Sequence, residues 1–140
     1  MKPLDYVKAA GLAFVLLVVN VLIAFLVVFV YAAFIEPGHP SEFYEQAALR
    51  IVPWSCHILG TPLFFFSVLL LTARCPRRNS YLFATAVVAM YALLDAASVG
   101  FSGVFDIYFA LSMLLKLAAT LAAAHLGGRW RLQGTIKSEE

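Results

Sequence analysis

The segment from Ala9 to Ile35 constrains the fold more than any other part of the chain, because its only polar side chains are Asn20 and Tyr31. A helix that crosses a bilayer needs about 20 consecutive apolar residues, and this segment is longer than that. A secretory signal has a shorter apolar core of about 7–15 residues, followed by a small-residue cleavage site. The segment therefore predicts an uncleaved and tilted first transmembrane helix.

The composition extends this prediction to the whole chain. Of its 140 residues, 63% are hydrophobic and 13% are charged. Ordinary soluble domains contain about 45–50% apolar and about 25% charged residues. We therefore expect an all-α integral membrane protein with one transmembrane domain. The formal net charge of +2 is too small to indicate binding to nucleic acid.

The apolar segments predict four spans, at about residues 9–35, 54–73, 81–100 and 107–126. An amphipathic segment, 41–52, precedes the second span and is too polar for the bilayer interior. Pro53 has no backbone donor and is expected to bend the chain there. Gly127 and Gly128 are expected to end the fourth helix. The short connections predict an antiparallel four-helix transmembrane bundle.

The loop charges predict the orientation of this bundle. Basic residues lie in the first, third and fifth segments outside the spans, whereas the second and fourth carry mainly acidic residues. By the positive-inside rule, both termini are then cytoplasmic, in a multi-pass protein of the cell membrane. The short loops and this bias are typical of a bacterial inner membrane. The basic segments contain Lys2, Lys8, Arg74, Arg77, Arg78, Arg129, Arg131 and Lys137.

A single ammonium lies inside the fourth apolar helix. Ser112, Lys116 and Thr120 recur every four residues, so they share one face. At about 1.5 Å per residue, Lys116 lies about 14 Å below the outer end of its helix, and Asp95 about 8 Å below that of the third. Side chains lean toward the N-terminus of their helix, so Lys116 and Asp95 lean toward each other. The sequence therefore predicts a Lys116–Asp95 ion pair.

Further polar side chains at helical spacing extend this pair into a candidate site. His57 is expected at a depth similar to that of Asp95, with Arg50 above it at the outer boundary. Asn20 and Ser112 would lie beneath them. Together they predict an outward-facing polar pocket of net positive character. The candidate binding residues are Asn20, Arg50, His57, Asp95, Ser112 and Lys116.

The apolar residues also predict how the helices pack. Small residues spaced by four, such as Ala119 and Ala123, allow helix backbones to approach closely in lipid. The run from Phe64 to Phe66 is expected to face lipid. Cys56 and Cys75 are predicted at opposite sides of the membrane as free thiols.

Three functions are compatible with these patterns. The first is a transporter or permease-like protein for a small or anionic solute or a lipid headgroup, which would have to form a homodimer to enclose a path. The second is a non-catalytic membrane subunit or scaffold, in which Asp95 and Lys116 form a structural interhelical ion pair and a membrane protein docks on the inner loops. The third is an intramembrane enzyme that uses His57 as a base.

The enzyme ranks last, because no catalytic motif is present. The chain has no H-E-x-x-H, P-loop or G-x-G-x-x-G motif and no paired Cys/His spacing for zinc. We therefore expect no metal and no cofactor. Beyond the lipid bilayer, the expected partners are a second copy of the chain or another membrane protein.

Overall fold

The computed structural model describes residues 3–74, 79–100 and 107–136, and these residues form helices joined by short connections. Helix α1 spans Pro3–Val30 and continues into a π-helical turn, Tyr31–Ile35. Helices α2, Ser41–Ile58, and α3, Gly60–Arg74, follow almost without interruption. Helices α4, Ser80–Gly100, and α5, Ile107–Ile136, complete the described part of the chain. The expectation of an all-helical protein is confirmed for these residues.

Four stretches of helix in the described residues are long and apolar enough to cross a membrane. They are Pro3–Ile35, Ser41–Arg74, Ser80–Ser98 and Ile107–Arg129, and we call them the first to fourth spans. The predicted number of spans is therefore confirmed, and the composition is that of a multi-pass membrane protein. Residues 75–78, with Cys75, Arg77 and Arg78, residues 101–106, Lys2 and the residues from 137 lie outside the described residues.

The four spans pack as a ring. Helix α1 packs against α2 on one side and α4 on the other, while α5 packs against both α3 and α4. The order around the ring is therefore first, second, fourth and third span. This arrangement brings one face of every span to a common interior.

Small residues let α1 approach α4 closely. The buried face of α1 consists of Ala9, Ala13, Leu16, Asn20 and Ala24, which are three or four residues apart. Ala9 and Ala13 are fully buried in a cluster that also contains Phe83 and Val87 of α4. Large side chains of α1, such as Phe25 and Phe29, are exposed on its other faces.

The second span differs from the prediction. Helix α2 continues through Pro53, and the interruption falls at Leu59 instead. Leu59 keeps right-handed helical angles, with φ −85° and ψ −29°. Two residues explain this position, since Pro62 gives no N–H to the Ile58 carbonyl and Gly60 lies against side chains of other spans. The amphipathic segment 41–52 is therefore continuous with the second span.

Helix α5 was expected to end at Gly127 and Gly128, but it continues to Ile136. Neither glycine has a positive φ, so neither adopts the left-handed conformation that ends many helices. Gly127 serves packing instead. A Cβ at this position would lie 3.0 Å from Cβ and Cγ2 of Thr72 and 3.2 Å from the Leu69 carbonyl oxygen. The glycine thus permits the close contact between α5 and α3.

Two packing expectations need correction at the level of single residues. Phe64 was expected to face lipid but is fully buried, whereas Phe66 is exposed. Because the residues of a helix point in successive directions 100° apart, three consecutive phenylalanines cannot all share one environment. Ala123 is fully buried, as its spacing suggested.

Candidate functional site

Each of the four spans contributes to one buried cluster of side chains, which we call the polar centre. It consists of Asn20 from α1, Gly60 and Phe64 from α3, Tyr91 from α4, and Ser112 and Lys116 from α5. The predicted face with Ser112, Lys116 and Thr120 is buried, which confirms that the polar side of α5 faces the interior.

Lys116 is the only cation among the described residues that is classed as buried, with 1% of its surface exposed. Its Nζ donates a hydrogen bond of 2.9 Å to Oγ of Ser112, one turn earlier in the same helix. The ammonium also lies 5.0 Å from the ring centroid of Tyr91 and 6.0 Å from that of Phe64. Aromatic faces attract cations through their quadrupole. Two rings and one hydroxyl therefore surround the charge.

The two rings hold each other in place. Phe64 and Tyr91 form an edge-to-face pair, with centroids 4.7 Å apart and an interplanar angle of 88°. Both residues are almost completely buried. Because Phe64 belongs to the second span and Tyr91 to the third, this pair links opposite sides of the ring across the interior.

Asn20 connects α1 to the same cluster. Its Nδ2 donates a hydrogen bond of 3.0 Å to Oη of Tyr91. Its Oδ1 is buried and has no hydrogen-bond partner in the described structure. A buried acceptor without a partner costs about 1–3 kcal/mol. The polar centre therefore keeps an acceptor that a ligand or a water molecule could use.

Gly60 forms one wall of the polar centre. A Cβ at this position would lie 3.1 Å from Oδ1 of Asn20 and 3.3 Å from Cε of Lys116. Contacts this short show that both side chains press against the backbone of α3. The interruption of the second span at Leu59 thus coincides with the place where the first and fourth spans approach it.

Three titratable side chains lie around the polar centre. Cys56, His57 and Asp95 are each partly buried and near enough to Lys116 for electrostatic interaction. His57 lies in the last turn of α2, and its Nδ1 is buried without a hydrogen-bond partner in the described structure. These three groups lie on a partly exposed side of the site, whereas Lys116 at its centre is buried.

The predicted direct ion pair between Lys116 and Asp95 is not formed. Among the described residues, no carboxylate oxygen lies within 4.0 Å of Nζ of Lys116. The ammonium points along α5 to Ser112, at the level of Tyr91, and Asp95 lies one turn further along α4. Asp95 therefore acts on Lys116 only at longer range.

Arg50 does not join the polar centre. It is exposed and lines a cavity of about 240 Å³ between α2 and the π-helical turn. It precedes His57 by two helical turns, about 10 Å along α2. The expected pocket with Arg50 as its outer boundary is therefore divided into two separate features. A second cavity, of about 170 Å³, reaches Cys56 from the flank of α1 and α2.

Sequence reasoning missed Gly60, Phe64 and Tyr91 as site residues. Tyr91 was detectable, because it lies one turn before Asp95 on the polar side of α4. Gly60 and Phe64 carry no polar atom in their side chains, so polarity could not reveal them. Their only signal was spacing, since Gly60, Phe64, Val68 and Thr72 recur every four residues on the buried face of α3.

The described residues contain no group of three or more histidine, cysteine, aspartate or glutamate side chains that could hold a metal ion. Comparisons of the chain with protein-family models, with curated proteins and with solved structures found no match. The polar centre is therefore the basis for assigning a function.

Proposed function

We propose that this protein transports a small anionic solute across a membrane and that Lys116 is the cation that binds it. The observation that supports this best is the incomplete coordination of Lys116. A lysine ammonium has three N–H donors, and the described contacts provide one hydrogen bond, to Ser112.

A purely structural role would be expected to leave fewer groups unsatisfied. A charge near the centre of a bilayer costs about 2.5–3.5 kcal/mol on insertion scales. An ion pair with Asp95 would offset part of this cost, yet the carboxylate oxygens of Asp95 lie more than 4.0 Å from Nζ of Lys116. The unused donors of Lys116 are available to an anion that enters the polar centre.

The surrounding groups supply a route for protons. A neutral imidazole titrates near pH 6.5 in water, and the partly buried His57 and Asp95 lie within electrostatic reach of Lys116. Arrival of an anion beside Lys116 would favour protonation of both groups. We therefore propose that transport of the anion is coupled to a proton.

The junction of α2 and α3 supports the same function, because it lies beside the polar centre. Backbone hydrogen bonds from Leu59 to Ser55 and from Leu63 to Leu59 continue across this junction, so it is an irregularity of one residue and not an unwound segment. Here the interruption at Leu59 adjoins Gly60, which contacts Asn20 and Lys116. A movement at this point would change access to Lys116.

The chain is short for a transport path, so we propose that it acts as a homodimer, with both termini in the cytoplasm of a bacterial cell. Support for the orientation is the distribution of lysine and arginine between the loops. Reporter fusions test it. A fluorescent protein at the C-terminus should fold and emit in the cytoplasm, whereas alkaline phosphatase at the same site should be inactive.

Proteoliposomes test the transport proposal. Protein would be reconstituted with a trapped pH dye, and chloride, nitrate or phosphate would be added outside with an imposed pH gradient. We expect proton movement that depends on at least one of these anions. Lys116→Met should abolish it, since methionine is an unbranched side chain only one atom shorter than lysine and carries no charge, and Asp95→Asn should change the dependence on pH.

Lys8→Met is the matched control, because Lys8 is an exposed lysine on α1. It should leave the flux unchanged. Absence of anion-dependent proton movement in the wild type would refute the proposal, and so would equal flux in the wild type, Lys116→Met and Asp95→Asn.

A second candidate is a non-catalytic membrane subunit or scaffold. The observation that favours it is the tight packing of the polar centre, where Lys116, Asn20 and Phe64 are almost completely buried. In that case the polar contacts would only hold helices together, and a partner would dock on the cytoplasmic loops. Purification from native membranes in mild detergent discriminates the two, since a scaffold should retain a stoichiometric partner and a transporter should elute alone.

A further inference from the structure

A groove at the seam of the first two spans combines a cationic end with an apolar continuation. The cavity beside Arg50 is lined by Tyr31, Phe43, Gln46, Ala47, Arg50 and Ile51. An adjoining cavity of about 390 Å³ is lined by Leu26, Val27, Val30, Tyr31, Ile35 and Ile51. The two share Tyr31 and Ile51, so they adjoin each other, and we refer to them together as the groove.

The cationic end has free hydrogen-bonding capacity. Arg50 is exposed and makes no ion pair within 4.0 Å with any described carboxylate. Glu42 and Glu45 lie earlier in α2 and do not line either cavity. A guanidinium presents a fork of donors that matches a phosphate, and the amide of Gln46 lies in the same cavity.

The other end of the groove offers only apolar surface apart from the Tyr31 ring. Val27, Val30 and Ile35 come from the last turns of the first span, where the π-helical turn Tyr31–Ile35 widens the helix. Trp54, one turn after Arg50, is exposed. Tryptophan is enriched at the boundary between headgroups and acyl chains, which places the cationic end at headgroup level.

We propose that this groove binds one anionic phospholipid, with its phosphate on Arg50 and an acyl chain along Leu26, Val27 and Val30. The site is separate from the polar centre and does not depend on transport. A ligand with only one of the two chemical parts would fill only half of the groove. The affinity should therefore require a phosphate and an acyl chain in the same molecule.

The test uses the full chain in a non-ionic detergent, with the midpoint of thermal unfolding as a function of added ligand. Didecanoyl phosphatidylglycerol carries both parts, glycerol 3-phosphate carries the phosphate alone, and didecanoylglycerol carries the chains alone. We expect a saturable increase in the midpoint with the first ligand only. An equal response to glycerol 3-phosphate would identify a free-phosphate site, and an equal response to didecanoylglycerol would identify nonspecific apolar binding, so either result overturns the proposal.

Two pairs of variants locate the ligand. Arg50→Gln should weaken the apparent affinity about tenfold, from the loss of a charge-assisted hydrogen bond, whereas Arg74→Gln, at an exposed arginine ending α3, should not. Val30→Phe should block the apolar part, whereas Val18→Phe should not, because Val18 is a valine of α1 with similar exposure that lines neither cavity. If either variant behaves like its control, the proposed binding mode is wrong.

Discussion

Replacement of Gly60 by alanine tests whether the first and fourth spans converge on α3 as the structure describes. The new Cβ would lie 3.1 Å from Oδ1 and 3.4 Å from Nδ2 of Asn20, and 3.3 Å from Cε of Lys116. Such distances are shorter than ordinary van der Waals contacts, so a neighbour has to move. Asn20 cannot move freely, since it is 98% buried and its Nδ2 is bonded to Tyr91.

The magnitude follows from two opposing effects. Overpacking of a well-filled interior costs about 1–3 kcal/mol. Alanine has a higher helix propensity than glycine by up to about 1 kcal/mol. We therefore expect Gly60→Ala to lower the free energy of unfolding by between about 0 and 2 kcal/mol. The overpacking itself can be isolated from helix propensity in a double-mutant cycle.

The cycle combines Gly60→Ala with Asn20→Ala, which removes two of the three close contacts. Reversible unfolding in mixed micelles, followed by circular dichroism, gives the four free energies. We expect the loss of unfolding free energy caused by Gly60→Ala to be smaller in the Asn20→Ala background than in the wild type, by at least about 1 kcal/mol. Additivity within about 0.3–0.5 kcal/mol is typical of residues that do not contact each other. Such additivity here would refute the described convergence on Gly60.

Three further predictions concern packing and access. Gly127→Ala should be less stable than the adjacent Gly128→Ala by about 1–3 kcal/mol, because a Cβ at Gly127 meets α3 and one at Gly128 has nothing within 4 Å; the same unfolding assay measures both. Tyr91→Phe should cost about 0.6 kcal/mol and at most about 1.7, the measured range for hydrogen bonds between membrane helices, and an unchanged stability would contradict the bond to Asn20. In a variant without the other cysteine, Cys56 should react slowly with a charged thiol reagent, because it is partly buried. The anion that drives proton movement in proteoliposomes should slow this reaction further if it reaches Lys116; equal rates with and without that anion would contradict this.

The sequence was sufficient to predict the number of spans and the buried side of α5, because both depend on the mean properties of long segments. The polar residues of α5 are expected in the interior of the bundle, because exposure to lipid would leave their polar groups without partners. The helix ends were less predictable. Pro53 and Gly127 are residues that often interrupt helices, yet here the local preference is outweighed by the packing of α2 against α1 and of α5 against α3.

The site was predictable only in part, for a related reason. Polarity pointed to Asn20, Ser112 and Lys116, which the structure brings together. It also pointed to Arg50, but an arginine at the end of a span can reach the interface as easily as the interior. Phe64 could not be recognised, because whether an aromatic ring faces lipid or a neighbouring ammonium depends on the rotation of its helix.

The stability of Lys116→Met distinguishes a binding cation from a structural one. If Lys116 were half of a buried ion pair, removal of its charge would leave an unpaired carboxylate and cost about 3–5 kcal/mol. In the described structure the variant loses one hydrogen bond to Ser112, worth about 1.5 kcal/mol, and the contacts of a buried ammonium with two rings, worth about 2 kcal/mol when desolvated.

The variant also avoids the cost of burying the ammonium, which is about 2.5–3.5 kcal/mol at the bilayer centre. The difference predicts that Lys116→Met is between neutral and about 1 kcal/mol less stable than the wild type, while anion-dependent flux is lost. Unfolding in mixed micelles and flux in proteoliposomes, measured on the same preparation, check both parts. A protein that loses 3 kcal/mol or more would identify Lys116 as a structural cation. A site that binds an anion has to keep its cation incompletely paired, and a nearly unchanged stability together with a loss of flux is the result which that requirement predicts.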